Sequence, residues 1–159
     1  RLLNIPHYVL NLKEAFKKKV INNFYSEYLS GRTPNPCILC NQYIKFNLLL
    51  RKAKSLKSDF IATGHYARNE YSKKKKRYIL KKGVDKEKDQ SYVLYMMTQE
   101  HLSKVLFPLG NYTKLEVRKI ARKLNLPVAE KKDSQEICFV EEGRYADFLN
   151  GYFISIIDA

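Results

Sequence analysis

Short apolar runs typical of β-strands alternate along this chain with segments of helical periodicity. The runs HYVLNL, from His7 to Leu12, and DFIATG, from Asp59 to Gly64, are predicted strands, and each lies next to a predicted helix. Alternation of this kind favours an α/β domain in which helices connect parallel strands. The chain is therefore predicted to form one α/β domain with a parallel sheet.

Four helices are predicted from apolar residues that recur on one face. In the first, an aromatic or apolar residue returns at every fourth position from Phe16 to Tyr28, which indicates one buried stripe. The predicted helices are Lys13–Leu29, about Gln42–Leu56, a third that starts at the capping-box pair Thr113 and Glu116, and a fourth around Arg144–Tyr152. The second of them leads into DFIATG and so predicts a helix-to-strand crossover.

Two strand-like stretches, HYARNEY and YILKK, flank the basic run Lys73–Arg77, and we predict a β-hairpin with that run at its solvated tip. The chain carries 30 Lys and Arg against 16 Asp and Glu, a net charge of +14. Such a surface attracts polyanions such as nucleic acid. However, 22 Lys against 8 Arg is also what an A+T-rich coding sequence produces without selection for binding. Both interpretations stay open.

The length and composition fit a single soluble domain, because 159 residues with 45% hydrophobic content can build one core. No window reaches the roughly 18 uninterrupted apolar residues that a membrane helix needs, and the N-terminus lacks the order of a secretory signal. We expect a cytoplasmic protein with no membrane partner. The chain begins at Arg1 rather than at methionine, and we expect it to be a fragment of a longer protein.

The segment GRTPNPCILCNQYIKF places Cys37 and Cys40 three residues apart, after a proline-rich turn. A C-x-x-C pair can be half of a zinc site, but tetrahedral zinc needs four ligands and the chain has no second such pair. It can also be a redox pair. The third interpretation is a nucleophilic thiolate at the N-terminus of the helix near Gln42, with its pKa lowered by the helix dipole and by the nearby Arg32 and Lys45. Spacing alone leaves the three open.

Three further segments carry candidate functional residues. ATGHYAR places Gly64 and His65 at the exit of a predicted strand, where ligands bind in open α/β sheets. DKEKDQSYVLY contains Lys88–Gln90, which suit phosphate and base recognition or the capping of the run that follows. KKDSQEICFV places Cys138 in an apolar stretch, where a buried, inert cysteine is the alternative.

Together, GRTPNPCILCNQYIKF, ATGHYAR, KDQSYVLY, FPLGNYTKLEVRKIA and KKDSQEICFV resemble, in this order, the tRNA-specific 2-thiouridylases. The resemblance runs from about Ile5 to Phe153. It implies that residues 1–153 are part of a Rossmann-like PP-loop ATP pyrophosphatase domain with a parallel sheet, and that residues 154–159 are a divergent tail. It also implies sulfur transfer to C2 of the wobble uridine of tRNA, with ATP and Mg²⁺ activating the C2 oxygen.

Site roles follow from the same resemblance, motif by motif. Cys40 matches the catalytic nucleophile and Cys138 the thiol that carries the persulfide, with a transient disulfide between them after transfer. The resemblance also implies contacts for the other matched residues. Contact with the target base is implied for Asn35, Pro36 and Cys37, and contact with the nucleotide for Gly64. Contact with tRNA is implied for His65, Lys88, Asp89 and Gln90. A cysteine desulfurase or sulfur-relay protein is the implied persulfide donor, and no tightly bound metal is expected.

The sequence departs from the family pattern at three places. One is the tail ISIIDA after FLNGYF, which lacks the proline-rich continuation expected there. Position 37 is cysteine, whereas the family motif has aspartate there. This cysteine also allows a Cys37–Cys40 disulfide, which would block the nucleophile. The ATP-binding Ser-Gly-Gly-x-Asp-Ser-Ser loop and the strand before it do not occur in the sequence. We therefore expect an interior piece of the catalytic domain that is inactive alone. The alternatives are a basic module in which zinc or nucleic acid is bound, and a truncated gene product without activity.

Overall fold

Helix α1 forms where the sequence repeats an apolar residue every fourth position. The computed structural model describes residues 3, 5–131, 137–141, 143–144 and 146–150. Within them, α1 runs continuously through α-helical Lys13–Phe16, π-helical Lys17–Ile21 and α-helical Asn22–Leu29. Val20 and Phe24 on its inner stripe are fully buried. The predicted helix Lys13–Leu29 is confirmed.

Helix α2 consists of α-helical Pro36–Leu39, π-helical Cys40–Leu49 and α-helical Leu50–Ser55. It begins at Pro36 rather than near Gln42, so the predicted start is wrong. The physical reason is the cap: the Asn35 side chain accepts a hydrogen bond from the Cys37 N–H at 3.1 Å, and Pro36 needs no N–H at the first helical position. The TPNP segment is a helix start as well as a turn.

The parallel pairing that the sequence predicts joins β1, Ile61–Ala62, to β4, Val105–Leu106. The predicted strand Asp59–Gly64 is therefore present but shorter. The predicted strand at His7–Leu12 is wrong, because this run is irregular and leaves Val9 85% exposed. No strand within the described residues pairs with it, so its backbone has no ladder to join.

Strands β2, Ala67–Ser72, and β3, Arg77–Lys82, form an antiparallel hairpin, as predicted, with residues 73–76 at its tip. The Asn69 side chain donates to the carbonyl oxygens of Leu102 and Val105, at 2.7 and 3.0 Å. These two bonds attach the hairpin to the parallel pair.

The remaining elements lie on the C-terminal side of the hairpin. Two capping boxes, at Thr98 with His101 and at Thr113 with Glu116, start the two α-helices among them. The elements are a 3₁₀ turn Ser91–Leu94, α3 Gln99–Lys104, a 3₁₀ turn Pro108–Asn111, α4 Lys114–Lys123, a 3₁₀ turn Pro127–Glu130 and a helical segment at 146–150. The capping pair predicted for α4 is confirmed. The fourth helix, predicted around Arg144–Tyr152, is present as the helical segment at 146–150, and residues 145, 151 and 152 lie outside the described residues.

The core sits between α2, the parallel pair and the hairpin. Its buried members are Phe46, Ile61, Ala67, Val93, Leu94, Val105 and Phe107. They come from segments far apart in sequence, so the cluster fixes α2 over the carboxyl end of β1, and this end carries the candidate site.

The 3₁₀ turn at Pro108–Asn111 lies directly against β2, and Gly110 permits this approach. A Cβ at Gly110 would lie 1.8 Å from the Ala67 carbonyl oxygen, whereas one at Gly64 would meet only a Leu109 methyl group at 3.7 Å.

We predict that Gly110→Ala lowers the free energy of unfolding by about 3 kcal/mol, since the added methyl group forces backbone apart. Gly64→Ala is the matched control and should change it by less than about 0.5 kcal/mol. Urea denaturation followed by circular dichroism measures both. Equal stability of the two variants would contradict the packing described here.

Candidate active site

A cavity of about 240 Å³ lies where α1, α2 and the loop after β1 meet. All three cysteines of the chain line it, although Cys138 is far from the other two in sequence. The described residues that line the cavity are Phe16, Val20, Pro36, Cys37, Cys40, Asn41, Lys45, His65, Gln90, Tyr92, Val93, Ile137, Cys138 and Phe139. The fold thus brings the GRTPNPC, GHYAR, KDQ and EICF segments to one place.

The three thiols differ in exposure, and all three are free. Cys37 and Cys138 are exposed, while Cys40 is half-buried one turn farther along α2. Burial raises the pKa of both Cys37 and Cys40, and the positive charge of Lys45 lowers it by less. The expected lowering of the thiol pKa by a helix N-terminus is therefore wrong in its net direction. Because α2 begins at Pro36, Cys40 lies beyond the turn where the dipole acts most strongly.

His65 is buried, with 6% of its surface exposed, and lies between two polar partners. Its Nδ1 is 2.8 Å from the Thr63 hydroxyl, and its Nε2 is 3.5 Å from the Lys45 ammonium. Burial, together with the charge of Lys45, lowers the pKa of His65 to about 4. The ring is therefore neutral near pH 7.

Gln90 and Asn35 shape the rim through their amide groups. The Gln90 side-chain oxygen accepts from the Tyr66 N–H at 3.0 Å, and the Gln90 backbone N–H donates to the Tyr66 carbonyl at 2.9 Å. This pair attaches the KDQ segment to the loop that carries His65. Asn35 caps α2 beside the cavity, and the adjacent Pro36 is buried in its wall.

Asn35, Gly64, Lys88 and Asp89 are not among the described residues that line the cavity. Asp89 braces its own turn, because its carboxylate accepts from the Gly83 N–H and from the Ser91 hydroxyl, at 2.9 and 2.8 Å. The Lys88 N–H donates to the Asp85 carboxylate at 3.2 Å. Of the candidate residues in the KDQ segment, only Gln90 reaches the cavity.

Asn41 and Lys45 also line the cavity, although the sequence does not predict either as a site residue. In the sequence prediction Lys45 is only a cation near the cysteines. Asn41 is 3% exposed and donates from Nδ2 to the Val93 carbonyl at 3.2 Å, while its Oδ1 has no hydrogen-bond partner among the described residues. The available signal was a polar residue directly after Cys40 in the GRTPNPCILCNQYIKF segment.

Within the part of the chain that the structure describes, no group of three or more His, Cys, Asp or Glu side chains is arranged to hold a metal ion. His65 is already engaged by Thr63 and Lys45. The zinc interpretation of the C-x-x-C pair gains no support from this arrangement. In the same residues, no helix is long and apolar enough to cross a membrane.

The α/β architecture with a parallel pair, and a thiol-lined cavity at the end of its first strand, define a Rossmann-like domain. The chain belongs to the family described as the tRNA methyl transferase HUP domain, whose model matches residues 1–142. The Rossmann-like α/β PP-loop fold implied by the sequence is thereby confirmed.

Curated relatives are similar to most of this chain. It is 58% identical to the tRNA-specific 2-thiouridylase MnmA 1 of Caldanaerobacter subterraneus subsp. tengcongensis over 93% of its length, and 59% identical to MnmA of Caldicellulosiruptor saccharolyticus over the same share. For MnmA of Acetivibrio thermocellus the identity is 54% over 96% of the chain. The chain spans 41%, 41% and 45% of the length of these relatives.

The buried neutral His65 predicts acid sensitivity. In the unfolded chain the imidazole takes up a proton near pH 6.5, but in the folded chain only near pH 4. The unfolded state therefore binds more protons between these values, and folding stability falls as the pH falls through this window. The maximum loss is about 3 kcal/mol.

We predict that His65→Gln reduces this acid-dependent loss, measured as the difference in free energy of unfolding between pH 7 and pH 4. His7→Gln is the control, since His7 is exposed and outside the cavity. An unchanged pH dependence in His65→Gln would show that His65 is not the buried titrating group.

Proposed function

We propose that residues 1–153 are part of the catalytic domain of a tRNA 2-thiouridylase, and that the cavity is where sulfur is transferred to C2 of the wobble uridine. The observation that carries this proposal is the meeting of Cys40 and Cys138 in one cavity with Cys37, His65 and Gln90. The relatives named 2-thiouridylases cover the same segments. The chain spans less than half of the length of these relatives, and we therefore propose the 2-thiouridylase activity for the longer protein.

The chemistry needs two thiols. ATP activates the C2 oxygen of uridine so that it leaves with AMP. The terminal sulfur of a Cys138 persulfide attacks C2, and the Cys40 thiolate then attacks the Cys138 sulfur. The sulfur–sulfur bond breaks, the transferred sulfur stays on C2, and a Cys40–Cys138 disulfide forms that an external thiol reductant must open with two electrons. Cys40 and Cys138 are both free thiols in the structure.

Gly64 is the residue of this chain that suits a nucleotide contact. It follows β1 directly, is exposed, and has a negative φ with only one methyl group near the position of a Cβ. Packing within the described residues therefore does not require glycine here. A ligand that approaches the backbone closely at the carboxyl end of the strand would require it.

Binding of tRNA is supported by the net charge and by the rim of the cavity. Lys88 and Gln90 lie on one segment, and Gln90 hydrogen-bonds to the Tyr66 backbone. This segment is therefore attached to the loop that carries His65. An enzyme that acts on one base must take it out of its stack. We assign Asn35, Pro36 and Cys37, at the start of α2, to the edge of such a pocket. We propose a persulfide-donating protein as partner, Mg²⁺ with the ATP, and a cytoplasmic location.

We predict that the chain alone does not form 2-thiouridine, because the ATP-binding loop does not occur in its sequence. A chimera in which the aligned part of this chain replaces the matching segment of the Caldanaerobacter relative should form it with ATP and a persulfide donor. In that chimera Cys40→Ser and Cys138→Ser should lower 2-thiouridine formation by at least about 10³-fold, and Cys37→Ser by less than about tenfold. Mass spectrometry of tRNA nucleosides measures the product.

Loss of activity in Cys37→Ser with retention in Cys40→Ser would show that the nucleophile is assigned wrongly. An inactive but folded parent chimera, beside an active relative, would overturn the proposed function for this chain.

The nucleotide contact has its own prediction. Gly64→Val in the chimera should raise the KM for ATP about tenfold, which corresponds to about 1.4 kcal/mol of binding free energy. Its KM for tRNA should stay unchanged. A KM for ATP equal to that of the parent would remove Gly64 from the nucleotide site.

A further inference from the structure

We propose that Lys45 is the charge-stabilising residue of the thiol cavity, where its ammonium group stabilises the sulfur that carries negative charge, and that the neutral ring of His65 positions it. This inference rests on the proposed function for its role in sulfur transfer. Its physical content, a cation that acts on the cavity thiols, is testable without that function.

The helix geometry places Lys45 beside the nucleophile. Residues Cys40–Leu49 are π-helical, and a π-helical hydrogen bond joins residues five apart. Cys40 and Lys45 are five apart along this segment of α2. Both line the cavity, together with Cys37 and Cys138.

Among the described residues that line the cavity, Lys45 is the only Lys or Arg, and none is Asp or Glu. The titratable groups that face Lys45 across the described part of the wall are the three thiols, His65 and the Tyr92 phenol. Its charge lowers the pKa of the Cys37 and Cys40 thiols, in opposition to burial. The positive charge is therefore not neutralised by a lining carboxylate and is available to sulfur.

His65 is suited to hold this ammonium group. A lysine ammonium can only donate, so the Nε2 atom of His65, 3.5 Å away, is the acceptor. The ring proton then lies on Nδ1 and is donated to the Thr63 hydroxyl at 2.8 Å. The ring is fixed between Phe46 and Phe107, each with its centroid 6.0 Å away. A fixed neutral acceptor orients Lys45 without adding charge.

The chemistry explains why such a cation is useful. Only the thiolate form of cysteine is a nucleophile, and burial keeps Cys40 protonated. When Cys40 attacks the Cys138 sulfur, it must first lose its proton, and negative charge develops in a wall rich in Phe, Val and Ile side chains. A nearby ammonium lowers the free energy of that charge, and the effect is larger than in water because the cavity wall is mostly apolar.

The test measures the alkylation rate of Cys40 by iodoacetamide against pH, in the full chain carrying Cys37→Ser and Cys138→Ser. The parent, which keeps Lys45, is compared with Lys45→Met and Lys45→Arg. Lys52→Met is the matched control, because Lys52 is an exposed lysine of the same helix. Lys45→Met should alkylate about tenfold more slowly at pH 7, a shift of about one pH unit in the midpoint. Lys45→Arg should restore the parent midpoint, and Lys52→Met should match the parent.

A second variant tests the positioning role. His65→Phe keeps an aromatic ring but removes the acceptor, and it should shift the Cys40 midpoint upward by less than Lys45→Met does. If Lys45→Met does not fold, as judged by circular dichroism, Lys45→Gln takes its place with the same expected shift.

A midpoint in Lys45→Met, or in its replacement, that matches the parent would overturn the proposal, as would an equal shift in Lys52→Met. The alkylation assay uses neither ATP nor tRNA. A chimera that fails to form 2-thiouridine therefore counts against the proposed function alone, whereas an unshifted alkylation profile counts against Lys45 alone.

Discussion

The site depends on the hydrogen bond between the Asn35 side chain and the Cys37 N–H, because this bond sets where α2 begins. With Pro36 as the first helical residue, Cys37 lies in the first turn and Cys40 one turn later. The helical segment that follows then brings Lys45 to the same cavity as Cys40. A start at Gln42 would leave both cysteines in a loop, and no helix would direct them into the cavity.

The second constraint is the burial of polar groups in a mostly apolar wall. Burial raises the pKa of the Cys37 and Cys40 thiols and lowers that of His65, so each group favours its neutral form. Lys45 is the charged exception among the described lining residues. A cavity of this kind keeps sulfur protonated and unreactive until charge is needed. This behaviour suits a site in which one thiol must wait for a persulfide on another.

Much of this arrangement could be predicted from the sequence, for reasons that differ between elements. Helix α1, the hairpin and the cap at Thr113 depend on local periodicity and on side chains three residues apart, which a sequence displays directly. The prediction of a strand at His7–Leu12 was wrong because a strand also needs a neighbouring strand to pair with. The composition of the segment does not show whether such a neighbour exists. The π-helical run of α2 was missed because a search for 3.6-residue periodicity does not detect it. For the same reason, the positions of Asn41 and Lys45 in the cavity wall were not predicted.

The measurement that tests the central claim most directly is the disulfide map of the chimera after one turnover with tRNA, ATP and a persulfide donor. After rapid alkylation of free thiols, peptide mass spectrometry identifies which cysteines have paired. Cys40 paired with Cys138, in an amount equal to the 2-thiouridine formed, is the result expected if the cavity brings these two thiols together for transfer. Pairing of Cys37 with Cys40, or product without any disulfide, would contradict the account.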